Sequence, residues 1–212
     1  MRIIIGVLLC FLTPLSAAPK LFKKAPVPDY AFQSGDIVFQ ATGGNQCRAI
    51  RAATHSPYSH CGVVFLKSGK LYVLEAISPV VATPLKTFRN RSLPGTFTAL
   101  RLKNANALVT QANFNKADQW AQRQLGKPYD GRFLWSDHEL YCSELVWKLF
   151  KEAGNIELCP PRRYDTFDLS SPLVRSLIVQ RFGSMENFPA GEPVVPPSAL
   201  ATSPLLEPVP RR

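Results

Sequence analysis

The sequence predicts an α+β fold in which an antiparallel sheet is followed by packed helices. Two apolar runs rich in β-branched and aromatic residues, His60 to Leu66 and Leu71 to Ile77, flank Lys67-Ser68-Gly69-Lys70, which is a hairpin signal. Past residue 104 the apolar period lengthens: Leu108, Ala112, Trp120 and Leu125 recur among polar residues, and Gly126 with Pro128 closes the run as a helix closes. The 212 residues, 46% of them hydrophobic, are enough for one globular core.

Taken in order, residues 1–18 read as a secretory signal peptide. Met1-Arg2 precedes an unbroken apolar run from Ile3 to Leu12, and Ser16-Ala17-Ala18 precedes Pro19-Lys20. The run is shorter than the ~20 apolar residues of a membrane span; an uncleaved anchor helix is the alternative. Leu9 occupies the position where lipidation at Cys10 needs a small residue, so no lipoprotein is expected. The signal implies a periplasmic or extracellular protein. Residues 19–34, with three prolines and several lysines, read as a linker, and the domain spans 35–187.

Within the domain, Asp36 to Gln40 reads as a strand, and Asn45 as the cap of a helix reaching Thr54. After the hairpin, a further strand pair is expected at Val80 to Thr83 and Thr96 to Lys103. Helices follow over Ala107 to Leu125, over Cys142 to Ala153 with Gly154 as the stop, and over 171–182. Prolines at 189, 193, 196, 197, 204, 208 and 210 predict that 188–212 is an extended tail. No internal repeat is visible.

Lys and Arg total 25 against 15 Asp and Glu, a net charge of +10. That excess favours contact with anionic envelope surfaces, and it equally suits a solvated cationic exterior. No basic block is interleaved with aromatics, so no nucleic-acid partner is expected. The cysteines, at 10, 47, 61, 142 and 159, include no C-x-x-C pair, and only His55, His60 and His138 could complete a metal site, so neither metal nor cofactor is expected. Export permits disulfides, but their connectivity is not legible, and a catalytic thiol would have to stay free. Oligomeric state leaves no trace in the sequence.

Three segments carry chemistry. In Tyr141-Cys142-Ser143-Glu144-Leu145-Val146 a helix start places Cys142 in the first turn, where unpaired N–H groups and the helix dipole favour a thiolate and could hold an oxyanion. Helical spacing with Leu145 or Val146, Leu149 and Ala153 equally suits a cysteine packed in the core. In Ser59-His60-Cys61-Gly62-Val63-Val64, His60 stands at the mouth of an apolar strand beside a glycine that permits close approach, which suits a general base. His55 and His138 lie in polar, solvated settings. Glu75, inside Val73-Leu74-Glu75-Ala76-Ile77, is costly to bury without a partner, and His60 on the neighbouring strand is the partner in reach; a solvent-facing edge position is the alternative.

Together with Gly35-Asp36-Ile37-Val38-Phe39 and Gly126-Lys127-Pro128-Tyr129-Asp130, these segments resemble the circularly permuted branch of the NlpC-type papain-like enzymes, and most closely the YiiX-like family, from about Gly35 to Leu206. In ordinary members of that superfamily the cysteine helix comes first; here it comes last. The resemblance implies a circularly permuted papain-like fold with Cys142 as nucleophile, His60 as base and Glu75 as the orienting carboxylate. It also implies an active-site role for Tyr58, as hydroxyl donor or substrate wall. Cys61 departs from the valine the resemblance implies and adds a thiol beside the base.

The resemblance further implies a thiol hydrolase of amide bonds, working on peptidoglycan-type peptides through an acyl-enzyme. A second expectation is an acyltransferase or lipid hydrolase like lecithin retinol acyltransferase, favoured if an apolar groove leads to Cys142. A third is an envelope-ligand binding module with a vestigial triad, favoured if Cys142 is disulfide-bonded. The expected partner is accordingly a peptide or lipid-like acyl substrate.

Overall fold

The computed structural model describes residues 29–105 and 110–212. The expected signal segment, most of the expected linker and the expected start of the helix at Ala107 lie outside the described residues.

The architecture is built on an antiparallel sheet with strand order β4-β3-β2-β1-β5-β8, comprising β1 (Ile37–Gln40), β2 (His60–Lys67), β3 (Lys70–Ala76), β4 (Val80–Pro84), β5 (Thr98–Leu102) and β8 (Leu206–Pro208). The β2–β3 hairpin turns where expected. Ser68 and Gly69 both take positive φ, 50° and 72°, the turn whose twist matches that of the flanking strands. Strands β4 and β5, expected as a pair, do not pair with each other: β4 joins β3, and β5 joins β1.

Both faces of the sheet are covered, which is why its strands read as continuous apolar runs. On one face Ile37, Phe39, Cys61, Val63 and Leu74 pack with α4 (Cys142–Gly154) through Leu145, Val146 and Leu149. On the other, Val38, Val64 and Val73 pack with Leu85 and Phe88 of α2 (Leu85–Asn90), a six-residue helix absent from the sequence expectation. Helix α3 (Gln111–Gln124) is capped by the Thr110 hydroxyl, which accepts from the Asn113 N–H at 3.2 Å, and buries Trp120 in the same core as α4. Helix α1 (Asn45–Thr54) starts after Gly44, not Asn45, at the N-cap, and packs with α5 (Pro172–Phe182) through Ala49, Val174 and Ile178.

Helix α4 is no stripe on a surface. Every residue from Cys142 to Phe150 is buried, Ser143, Glu144 and Lys148 included. Glu144 and Lys148 are satisfied: they pair at 2.9 Å, and Glu144 accepts from the N–H groups of Ser136 and Tyr141. The helix runs through Gly154, and Asn155 adopts the left-handed conformation that ends it (φ 51°).

The proline-rich stretch differs from the extended tail expected for 188–212. It supplies β7 (Pro193–Val194), which pairs with β6 (Arg162–Arg163), then α6 (Pro197–Ala201), then β8 at the edge of the main sheet. Val195 and Leu200 are fully buried. The prolines stand beside helix starts and at sheet edges, where a missing N–H costs nothing. At the other end, Tyr30 of the expected linker is buried and bridges Arg211.

Candidate active site

His60 opens β2, Glu75 lies on the adjoining β3, and Cys142 is the first residue of α4. All three are buried, with exposures of 8%, 0% and 3%. Such proximity of β2 and β3 depends on Gly62. A Cβ there would stand 2.5 Å from Val73 Cγ1 and 2.6 Å from the Leu74 carbonyl oxygen.

His60 Nε2 meets Glu75 Oε2 at 2.6 Å, and the imidazole is hydrogen-bonded to the Cys142 thiol. With Nε2 held by the carboxylate, Nδ1 is the nitrogen left for sulfur. Burial works against a charged imidazole, but the Cys142 thiolate and the Glu75 carboxylate outweigh it, and the His60 pKa is pushed up to about 9. The Cys142 pKa is held well below the ordinary thiol range, first by a hydrogen bond from the Cys61 thiol and, against the cost of burial, by the charge of His60 and a hydrogen bond from it. The two shifts describe one thiolate–imidazolium pair. Cys61 stays protonated, because burial and the neighbouring thiolate drive its own pKa well up.

Glu75 is anchored from three sides. Burial alone would raise its pKa, but hydrogen bonds from His60 and Thr83 and the charge of Arg91 bring it below its ordinary value. Arg91 Nη2 donates to Glu75 Oε1, and Phe88 stacks on the imidazole with centroids 5.5 Å apart and planes at 26°. Both residues come from α2 and its C-cap. Neither Phe88 nor Arg91 was singled out in the sequence, where nothing in Leu85–Asn90 distinguishes so short a helix from a loop.

Tyr58 packs its ring on Phe39, and its hydroxyl is hydrogen-bonded to Thr98. Burial, and after it the Cys142 thiolate, hold the Tyr129 pKa well above normal, so its hydroxyl stays protonated. Gln46 Nε2 donates to the Tyr129 oxygen at 2.8 Å. Tyr129 belongs to the Gly126-Lys127-Pro128-Tyr129-Asp130 motif, which by itself assigns it no role, and Gln46 carries no signal in the sequence. His138 is exposed, while the largely exposed His55 meets Asp168 at 3.2 Å.

Three chemical capacities follow. The four cysteines of the described residues are free thiols, so Cys142 is available as a nucleophile. The N–H groups of Cys142 and Ser143 have no acceptor inside their own helix and can receive an oxyanion. A cavity of about 770 Å³, measured out to its open mouth, reaches Cys142 and Ser143. Its walls are almost wholly carbon, supplied by α1, α5 and the segments around Phe133, Tyr164, Phe188 and Val195.

A sheet that carries the histidine and its carboxylate, followed by the helix that carries the cysteine, defines a circularly permuted papain-like cysteine enzyme. The family model described as permuted papain-like amidase enzyme, YaeF/YiiX, C92 family, matches residues 31–209, and the chain belongs to that family, whose members are cysteine hydrolases of the amidase or peptidase type. The chain is 40% identical over 182 residues to the Escherichia coli (strain K12) protein named "Uncharacterized protein YiiX", covering 85% of this chain and 88% of that one. It is also similar to a crystal structure of YiiX from Escherichia coli O157:H7, with a TM-score of 0.78 and 39% identity over 85% of this chain and 97% of that one. That structure is described as a metalloprotein. Among the described residues here, no three His, Cys, Asp or Glu side chains are grouped so that they could hold a metal ion.

Proposed function

We propose that this protein is an exported cysteine amidase acting on amides of long apolar acyl chains, with Cys142 as nucleophile, His60 as acid and base, and Glu75 as the residue that orients the imidazole. The observation that carries this reading is the carbon-walled cavity reaching Cys142. A peptidoglycan stem peptide is rich in carboxylates and amines and would leave those groups desolvated in such a cavity. An acyl chain gains from burial there, by roughly 0.8 kcal/mol per methylene. The cavity therefore favours the lipid-directed expectation over the peptide-directed one, while the reaction remains amide cleavage.

The steps follow from the positions of the groups. The thiolate of Cys142 adds to the amide carbonyl carbon, and the oxygen gains charge that the N–H groups at the start of α4 can receive. His60 gives its proton to the amine, the C–N bond breaks, and a thioester remains on Cys142. Water then attacks the thioester, His60 takes its proton, and the fatty acid leaves with the thiolate regenerated. Transfer of the same acyl group to another amine or alcohol differs only in the final nucleophile.

Export is supported by the pattern of residues 1–18, and contact with anionic envelope surfaces by the net charge of +10.

The test is a series of acyl amides of one amine, from acetyl through octanoyl to palmitoyl, beside muropeptide-like substrates. The expected result is a kcat/KM that climbs with chain length, abolished in Cys142→Ala. Cleavage of muropeptides with indifference to chain length would instead establish the peptide reading.

A further inference from the structure

Two cationic residues, the exposed Arg132 and the half-buried Arg181, are among those that line the carbon-walled cavity beside Cys142, and neither forms an ion pair with a carboxylate among the described residues. Arg181 Nη2 donates to Gln46 Oε1 at 2.5 Å, and its guanidinium lies 4.7 Å from the centroid of Phe133. Burial, ahead of the opposing influence of nearby phenols and Asp130, brings its pKa down from the ordinary value. Asp130 is within electrostatic reach of Arg181, but its Oδ1 accepts from the Arg132 N–H, and its Oδ2 has no hydrogen-bond partner in the described structure. A partly desolvated guanidinium held by a neutral amide and an aromatic ring lacks the anion that such a group ordinarily acquires.

The position of this charge matters as much as its lack of a partner. Gln46 accepts from Arg181 with its oxygen and donates to Tyr129 with its nitrogen, and Tyr129 feels the charge of the Cys142 thiolate. The cation is thus linked, through Gln46, to a phenol within electrostatic reach of the Cys142 thiolate. It is not at a remote surface.

We propose that the substrate is an anionic amphiphile: an acyl amide whose amine portion bears a carboxylate or phosphate close to the amide nitrogen, seated on Arg181 and Arg132 while the acyl chain fills the cavity. This rests on the acyl-amide reading above and adds the recognition of charge. The product amine would carry the anionic group away, as in release of an amino acid or an amino phosphate from its fatty acyl amide.

Two matched pairs with one chain test the inference: dodecanoylglycine against dodecanoylglycinamide, and dodecanoyl phosphoethanolamine against dodecanoyl ethanolamide. In the wild-type protein the anionic member of at least one pair is expected to have a kcat/KM higher by about tenfold or more, as a charge-assisted bidentate contact supports. Which pair discriminates identifies carboxylate or phosphate. The ratio is expected to collapse toward one in Arg181→Met, to survive in part in Arg181→Lys, and to fall to a smaller extent in Arg132→Met. Binding of the same four compounds to Cys142→Ala, measured by calorimetry, reads the preference without turnover. Equal binding and equal turnover of both members of both pairs overturns the inference and leaves the acyl-amide reading standing. Anion-selective binding that requires Arg181, without turnover of any of the four by the wild type, upholds the anion site and overturns the catalytic reading instead.

Discussion

Arg91 Nη2 donates to Glu75 Oε1, on the carboxylate whose other oxygen holds His60 Nε2 at 2.6 Å. The orienting residue is itself oriented. Glu75 is completely buried, so its charge persists only because His60, Thr83 and Arg91 satisfy it. Replacing Arg91 by Met removes the donor together with the guanidinium that lies 5.4 Å from the centroid of the Phe88 ring. The expected result is a fall in kcat/KM of about tenfold or more, the scale of one lost charge-assisted hydrogen bond, together with a move of the basic limb of the pH profile to higher pH, because a cation near the imidazolium is gone. A variant with an unchanged pH profile would show that Arg91 only braces the fold.

The charge state of the pair sets a pH window. His60 is raised to about 9 and Cys142 is lowered well below its usual value, so thiolate and imidazolium coexist between those limits. Activity on an amide is expected to rise on the acid side as Cys142 ionises and to fall as pH passes about 9, where His60 loses the proton the leaving amine needs. Rates of thiol alkylation at Cys142, measured across pH in wild type and His60→Ala, check the first limb. In the variant the onset of labelling is expected to move to higher pH, because the neighbouring cation is gone.

Cys61 should tune that nucleophile. It remains a thiol in an apolar strand and donates to the Cys142 sulfur. Cys61→Val keeps the position apolar while deleting the donor, so alkylation of Cys142 in mildly acidic buffer is expected to slow by about two- to tenfold, the worth of one hydrogen bond. Mass spectrometry of the labelled peptide distinguishes this from loss of fold.

Gly62 is the tightest position in the hairpin. Gly62→Ala would press a methyl against Val73 Cγ1 and the Leu74 carbonyl oxygen, and β2 and β3 would have to separate. A loss of roughly 1–3 kcal/mol in denaturant unfolding is expected, as for other overpacked sites. Activity is expected to fall further than stability, since the same two strands hold His60 and Glu75 in register. Full activity in the variant would contradict this coupling.

Local chemistry was legible where local physics is decisive. Ser68-Gly69 predicts its turn because positive φ is cheap at glycine, and the helix from Cys142 was visible from its own apolar residues and the glycine near its end. The family motifs by themselves group Cys142 with His60 and Glu75, which lie far from it in the chain. Helix α2 was not legible, since six residues with a proline cap carry too little periodicity, and its contributions, Phe88 and Arg91, take their meaning only from the residues they touch. The tail misled for a related reason: prolines forecast extension, and only the free edge of β5 turns that extension into strand β8.

By itself, then, the sequence determined the strands from β1 to β5, the principal helices and the identity of the groups able to do acyl chemistry, because these depend on short-range pattern and on residue type. Only the tertiary structure decided what surrounds them. The cavity at Cys142 has walls from α1 and α5, helices far apart in the chain, and Arg181 reaches the thiol's surroundings through Gln46 and Tyr129. Its shape and charge are sums over residues that no local pattern connects, and they arise only when burial of the apolar faces fixes where each helix lies.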